Sequence, residues 1–131
     1  MNLFAPPRTP GLRFLWLWGP PIAYMIAIHI ESSMSSVSLP ANLSDKVAHA
    51  MGFGLLALLF LRALAGGTWS GVTRWTLAGC VALTLLYGMK DEWQQMYTPG
   101  RSSDPLDVAA DFAGAAGAAS LAGAWSIIRR L

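Results

Sequence analysis

Four apolar runs constrain what this chain can fold into more than any other feature of its sequence. They cover residues 14–30, 47–65, 72–89 and 106–128. At 1.5 Å of rise per residue, an α-helix over any of these runs is roughly 25 to 35 Å long, which matches the hydrocarbon core of a bilayer. Charged residues make up only 12% of the chain, whereas soluble domains have about 25%. The runs therefore predict an integral membrane protein.

Polar residues at the ends of the runs predict where the helices begin and end. Ser44 or Asp45 is a good N-cap for the second helix, and Asp104 followed by Pro105 is typical of a helix start. After the third run, nothing breaks the helical pattern before Thr98-Pro99-Gly100. We predict one all-α domain over the whole chain, a compact bundle of four transmembrane helices. The helices are expected near residues 14–30, 47–65, 72–96 and 105–128.

The distribution of charge predicts the orientation in the membrane. The N-terminus, the second connection and the C-terminus hold six arginines and no acidic residue: Arg8, Arg13, Arg62, Arg74, Arg129 and Arg130. The first and third connections, with the helix turns beside them, hold all seven acidic residues. Cytoplasmic loops of membrane proteins carry an excess of Lys and Arg. Both termini are therefore expected in the cytoplasm, and the acidic connections on the extracytoplasmic side.

Polar residues recur at helical spacing on three of the four predicted helices, with small or apolar residues below them. The three stripes are Asp45, His49, Gly52 and Leu56; Thr84, Gly88, Asp91 and Gln95; and Asp104, Asp107, Asp111, Gly114, Ala118 and Ala122. Because lipid cannot solvate polar groups, we expect all three stripes to face the inside of the bundle. The small residues of the last stripe permit close packing inside the bundle or, equally, a homodimer.

His49 lies one turn inside the second predicted helix and has two interpretations. In the first it is a general acid or base, or a metal ligand, with Asp45 one turn away as the orienting partner. In the second it is a structural histidine bonded to an acid of the third or fourth helix.

Asp107 and Asp111 are four residues apart, which places their Cβ atoms roughly 6 Å from each other on a helix. Two carboxylates this close need a cation, and His49 or Arg101 is the expected source. The pair could bind a cation or share a proton in catalysis. The alternative assigns Asp107 to helix capping, which we favour for that residue, and Asp111 to a hydrogen bond between helices.

The third helix ends in an acid–amide cluster formed by Asp91, Glu92, Gln94 and Gln95. The cluster is either a site for a metal, a sugar or a peptide, or a solvated helix end. Asp91 and Gln95 lie on the inward stripe, whereas Gln94 is expected to be exposed. Arg101 follows the Pro99-Gly100 turn and binds either a phosphate or the acids of the fourth helix, of which the second is favoured.

Several functional classes receive no support from the sequence. The chain has no HExxH, CxxC, phosphate-loop, dinucleotide or Gly-x-Ser-x-Gly motif, so we predict no metal site and assign no cofactor. No basic cluster exceeds Arg129-Arg130, so no nucleic-acid partner is expected despite a pI near 9.0.

Three ordered motifs resemble the VanZ-like family of small bacterial membrane proteins. They are Asp45-Lys46-x-x-His49, Asp91-Glu92-x-x-Gln95, and Gly100-Arg101-Ser102 followed by Asp107-x-x-x-Asp111-x-x-Gly114-x-x-Gly117. The resemblance runs from about Ser32 to Ala122. It implies a multi-pass protein of the bacterial cytoplasmic (inner) membrane, in a family named for a protein that accompanies glycopeptide-resistance genes and is linked to teicoplanin resistance. Asp111 departs from the asparagine more usual in the family.

Three hypotheses for function follow. The first is a cell-envelope protein whose extracytoplasmic acidic pocket, with Asp45, Lys46, Asp91, Glu92, Gln95 and Arg101, binds a cell-wall precursor, a lipid headgroup or a glycopeptide antibiotic. The second is an intramembrane hydrolase or transferase on a lipid-linked substrate, with His49 and Asp107 or Asp111 as the acid–base pair and Arg101 on a phosphate. The third is a purely structural or assembly role.

Overall fold

The computed structural model describes residues 6–129, and within that range it contains four α-helices and no strand. The helices are α1 (Pro10–Ser32), α2 (Asp45–Leu64), α3 (Arg74–Gln95) and α4 (Pro105–Ile128), with a short 3₁₀ helix at Trp69–Gly71 between α2 and α3. The prediction of an all-α chain with four helices is confirmed. Arg130, counted above in the charge distribution, lies outside the described residues.

Three of the four helices begin at a side-chain cap that the local sequence explains. The Ser44 hydroxyl accepts a hydrogen bond of 3.2 Å from the Val47 backbone N–H at the start of α2. Thr73 and Thr76 cap α3 reciprocally, which is why α3 begins at residue 74. The Asp104 carboxylate accepts from the Leu106 N–H at 2.9 Å and caps α4.

The most extensive contact in the bundle joins α2 to α4. The two helices start at the same end and run in parallel, because His49 contacts Asp111 and, about one turn further along both helices, Gly54 meets Gly114. A Cβ atom added at Gly114 would overlap the Ala50 carbonyl oxygen. The small-residue stripe of α4 is therefore used for close packing inside the chain.

The apolar residues divide between a small core and a large exposed surface. Leu56 and Cys80 are fully buried at the centre, with Phe53 and Phe60 beside them. Large apolar side chains are exposed on all four helices. Two helices, α1 and α2, are long and apolar enough to cross a membrane.

Candidate functional site

A polar cavity of about 560 Å³ lies at the end of the bundle where α1 and α3 finish and α2 and α4 begin. We call this end, with the connections 33–44 and 96–104, the polar end. Six of the predicted site residues line the cavity: Asp45, His49, Asp91, Gln95, Arg101 and Asp107. The other three lie behind its wall: Lys46, Glu92 and Asp111 pair with lining residues or with the loop before α4. The structure thus brings together residues predicted from three helices and a loop.

His49 is oriented by Asp111. Its Nδ1 atom lies 2.8 Å from Asp111 Oδ1, and its ring stacks on Phe53 with the centroids 6.0 Å apart. The expectation that Asp45 orients His49 is therefore wrong, whereas the expected hydrogen bond between helices at Asp111 is confirmed. Spacing along one helix favoured Asp45, but the parallel contact between α2 and α4 places the Asp111 carboxylate nearer.

Asp111 is buried and tightly packed. Its side chain is 1% exposed, and its Oδ2 atom has no hydrogen-bond partner among residues 6–129. A Cβ atom at position 88 would lie 2.6 Å from that oxygen, so Gly88 is what lets α3 pass so close to the carboxylate. Asp111 consequently contacts both neighbouring helices, which fixes the position of the His49 ring.

Lys46 binds two acids at the start of α4. Its ammonium group donates to Asp104 Oδ2 at 2.6 Å and to Asp107 Oδ1. This hydrogen bond and charge lower the pKa of the Asp104 carboxyl below its usual value. Asp107 does not complete the cap of α4, because the Asp104 backbone N–H that it would bind donates to Glu92 instead. The favoured capping interpretation of Asp107 is therefore wrong. The expected partner His49 does lie close, with its Nε2 atom 3.7 Å from Asp107 Oδ2.

The acid–amide cluster of α3 is mostly buried. Asp91 accepts from the Ser32 hydroxyl of α1 and, at 3.2 Å, from Gln95 of the next turn. Glu92 faces the loop before α4, where its Oε2 atom accepts from the Ser103 hydroxyl at 2.9 Å and the Asp104 N–H at 2.8 Å. The cluster as a whole is therefore not a solvated helix end.

Gln94 was expected to be exposed, and this expectation is wrong. Its amide donates to the His29 carbonyl oxygen at 3.2 Å and to the Ser33 hydroxyl at 2.7 Å. The side chain is partly buried because α1 packs beside the end of α3. The sequence of α3 alone does not show that neighbour.

Arg101 lines the cavity without an acidic partner. Among residues 6–129, no carboxylate oxygen lies within 4.0 Å of its guanidinium group, although pairing with the acids of α4 was the favoured expectation. Lys46 and His49 already occupy those acids. The guanidinium group is therefore available to a ligand.

Some lining residues were not predicted as site residues. The end of α1 and the loop after it contribute Tyr24, Glu31, Ser32, Ser35 and Ser36 to the cavity wall. The serines form a clear polar group in the sequence. The sequence does not determine the path of the loop, however, so it does not show which residues the serines face. The structure also places single donor atoms of Asp45, His49 and Asp107 within 4.8 Å of one another, which would suit a metal ion.

A comparison with known protein families shows to which family the chain belongs. The model of the family described as VanZ/LLP1 matches residues 14–127. The chain belongs to the VanZ/LLP1 family. No curated protein and no solved structure gives a significant match. The VanZ/LLP1 match includes every cavity residue named above, so the polar end lies within the family domain.

Proposed function

We propose that this VanZ/LLP1 protein is a four-span protein of the bacterial cytoplasmic membrane whose polar end faces outward and binds an envelope ligand. The ligand is a cell-wall precursor, a lipid headgroup or a glycopeptide. One observation carries the proposal: six side chains of polar motifs that are far apart in the sequence line a single cavity. Convergence of this kind is typical of binding sites.

The exposed apolar surface supports insertion of the whole bundle. Only 17% of the apolar window of α1 is buried, whereas a core helix of a soluble protein would be mostly buried. The other helices also expose large residues, including Leu86 of α3 at 63% and Leu121 of α4 at 75%. A contiguous exposed apolar surface is normally covered by another molecule. Lipid can cover all sides of a helical bundle at once. The arginine distribution then places the polar end outside.

The polar groups of the cavity wall support ligand binding. The Arg101 guanidinium group offers a planar fork of donors that suits a phosphate or carboxylate. Serine hydroxyl groups and the Gln95 amide in the same wall suit the hydroxyl and amide groups of sugars and peptides. A cell-wall precursor carries all of these groups.

Binding can be tested with purified protein in nanodiscs by titrating a lipid-linked cell-wall precursor, an anionic phospholipid and a glycopeptide. We expect wild type to bind at least one of them and Arg101→Gln to bind it at least tenfold more weakly, about 1.4 kcal/mol. Arg74→Gln is the matched control, because Arg74 is exposed at the opposite end. The proposal fails if wild type binds none of the three, or if both variants bind alike.

A second candidate function, catalysis, rests on the His49–Asp111 pair. A buried carboxylate on Nδ1 leaves Nε2 beside Asp107 at the cavity wall, which is the arrangement of an oriented general base. The reaction would be hydrolysis of, or transfer from, a lipid-linked substrate. Product formation that disappears in His49→Ala while binding persists would favour this function over binding alone.

A structural role is the remaining alternative, and stability measurements separate it. The variants His49→Ala, Asp91→Asn and Asp111→Asn should be compared for unfolding temperature in detergent and for ligand binding. If every variant that loses binding also unfolds, the polar network only holds the bundle together.

A further inference from the structure

At the polar end, Asp107 Oδ2 and His49 Nε2 lie near each other without a hydrogen bond between them. Asp107 is 4% exposed, and its Oδ2 atom has no hydrogen-bond donor among residues 6–129. His49 Nε2 lies 3.7 Å from it, which is too long for a hydrogen bond. Two ligands on one tetrahedral zinc ion, each bound at about 2.0 to 2.1 Å, lie roughly 3.3 to 3.4 Å apart. The observed separation is therefore close to that of two ligands sharing a metal ion.

A third donor and an orienting group complete the arrangement. One oxygen of the Asp45 carboxylate lies within 4.8 Å of a ring nitrogen of His49 and of a carboxylate oxygen of Asp107, and Asp45 is open to solvent. On the other side of the ring, His49 Nδ1 is 2.8 Å from the buried Asp111 carboxylate. Metal-binding histidines almost always donate their second ring N–H to such a group. We propose that Asp45, His49 and Asp107 bind a divalent metal ion of the zinc type, with Asp111 as the positioning residue for His49.

The charge at the polar end also favours a cation. Seven acids face three permanent cations there: Glu31, Asp45, Asp91, Glu92, Asp104, Asp107 and Asp111 against Lys46, Lys90 and Arg101. Lys46 occupies one oxygen of Asp107 and leaves the other towards His49. Uncompensated carboxylates beside a bilayer are costly, and a divalent ion would reduce the imbalance.

This inference rests on the proposed function and deepens it, because the three ligands lie in the wall of the same cavity as Arg101. Three protein ligands leave a further coordination position for a ligand atom or water. An anionic group, phosphate or carboxylate, would then be recognised by the metal ion and the Arg101 guanidinium group together. Its source is the headgroup or peptide of the envelope ligand.

The test is a zinc titration of chelator-treated protein in detergent, with no envelope ligand present. We expect one zinc ion per chain, and at least a tenfold loss of affinity in each of Asp45→Asn, His49→Ala and Asp107→Asn. Asp111→Asn should lose about 10- to 100-fold, as supporting groups of metal sites typically do. Glu31→Gln is the matched control: it removes an exposed acid at the same end of the bundle that is not a ligand, and should bind zinc like wild type.

The inference is wrong if wild type binds no zinc, if the ligand variants bind it normally, or if Glu31→Gln loses as much affinity as they do. If His49→Ala unfolds, copper bound to the wild-type protein gives an independent test. Electron paramagnetic resonance should show coupling of the copper ion to a single imidazole nitrogen. A spectrum without that coupling overturns the site. Envelope-ligand binding that depends on Arg101 but persists after chelation would defeat only the metal site. If the protein binds zinc but binds none of the three envelope ligands, only the proposed function fails.

Discussion

Charged side chains bind different kinds of partner at the two ends of the bundle. At the polar end, charged side chains from different helices bind one another, as Lys46 does with Asp104 and Asp107. At the opposite end, which comprises the start of α1, residues 65–73 and the last turns of α2 and α4, arginine binds backbone and aromatic rings instead. Arg62 donates to the Trp16 carbonyl oxygen at 2.8 Å and lies 3.9 Å from the centre of the Trp16 ring. We call this the arginine end.

The cavities of the two ends differ in the same way. The arginine end has a smaller cavity of about 360 Å³, lined mainly by apolar residues such as Leu58, Leu61 and Val72. The polar end encloses about 560 Å³ with carboxylate, imidazole, guanidinium and hydroxyl groups in its wall. Charges that compensate each other across helices make stability and ligand binding depend on the same residues. Among residues 6–129, no ion pair between helices lies at the arginine end, so changes there should affect stability alone.

The largest expected effect is that of Lys46→Met at the polar end. The change leaves Asp107, whose side chain is 5% exposed, without its main cation, and a buried carboxylate that has lost its cation strongly destabilises the folded state. Chemical denaturation in detergent measures the loss. Adding Asp107→Asn to Lys46→Met should recover most of it, and a double variant as unstable as the single one would show that the pair is not the cause.

Gly114→Ala should be the next most damaging change, because it acts where α2 and α4 touch below the polar end. The new Cβ atom would overlap the Ala50 carbonyl group, so the helices must separate, at about 2 kcal/mol. Gly117→Ala in the same helix meets nothing within 4 Å and should leave the unfolding temperature unchanged or raise it. Equal effects of the two changes would contradict the close packing of α2 against α4.

Arg62→Ala tests the arginine end. It removes a hydrogen bond to Trp16 and a cation–π contact, together about 1 to 2 kcal/mol. The unfolding temperature should therefore fall, while the zinc and ligand affinities measured on the folded protein stay at the wild-type values. Weaker binding in this variant would mean that the two ends are coupled.

The smallest effect is a pH dependence at Asp104. The bound Lys46 lowers the pKa of the folded Asp104 carboxyl, so its stabilising contribution is fully present above the unfolded pKa, about 3.9, and is lost as the pH falls through the lower folded value. Asp104→Asn keeps an N-cap for α4 but removes the charge. Unfolding temperatures should favour wild type at pH 7, with the difference shrinking below about pH 4. A difference that stays constant with pH would exclude the ion pair.

Helix positions were readable from the sequence to within a few residues, because apolar runs and caps act locally. The main error is at α1, which begins at Pro10 and not near residue 14. A proline at the first helical position allows the helix to start in polar sequence, whereas the apolar run marks only what lipid could cover.

The site was predictable in part for a physical reason. Helical spacing correctly placed Thr84, Asp91 and Gln95 on a buried stripe, since one helix fixes its own faces. Asp45 of the α2 stripe is exposed at the cavity rim instead of facing inward. The sequence left two partners open for His49, and it did not predict that Lys46 binds Asp107 or that Arg101 has no acidic partner among residues 6–129. These contacts depend on how far one helix slides along another. The sequence of a single chain carries no direct signal for that.

The central claim is that both polar connections lie outside the membrane and form one cavity there. Ser36 and Ser102 lie in its wall, one in each connection, whereas Ser70 is at the arginine end. Single cysteines at these positions, in a Cys80→Ser background, can be labelled in intact cells with a membrane-impermeant maleimide. Four membrane spans predict that Ser36→Cys and Ser102→Cys are labelled, and that Ser70→Cys is labelled only after permeabilisation. If Ser102→Cys is protected in intact cells while Ser36→Cys is labelled, α3 and α4 do not cross the membrane and the claim is wrong.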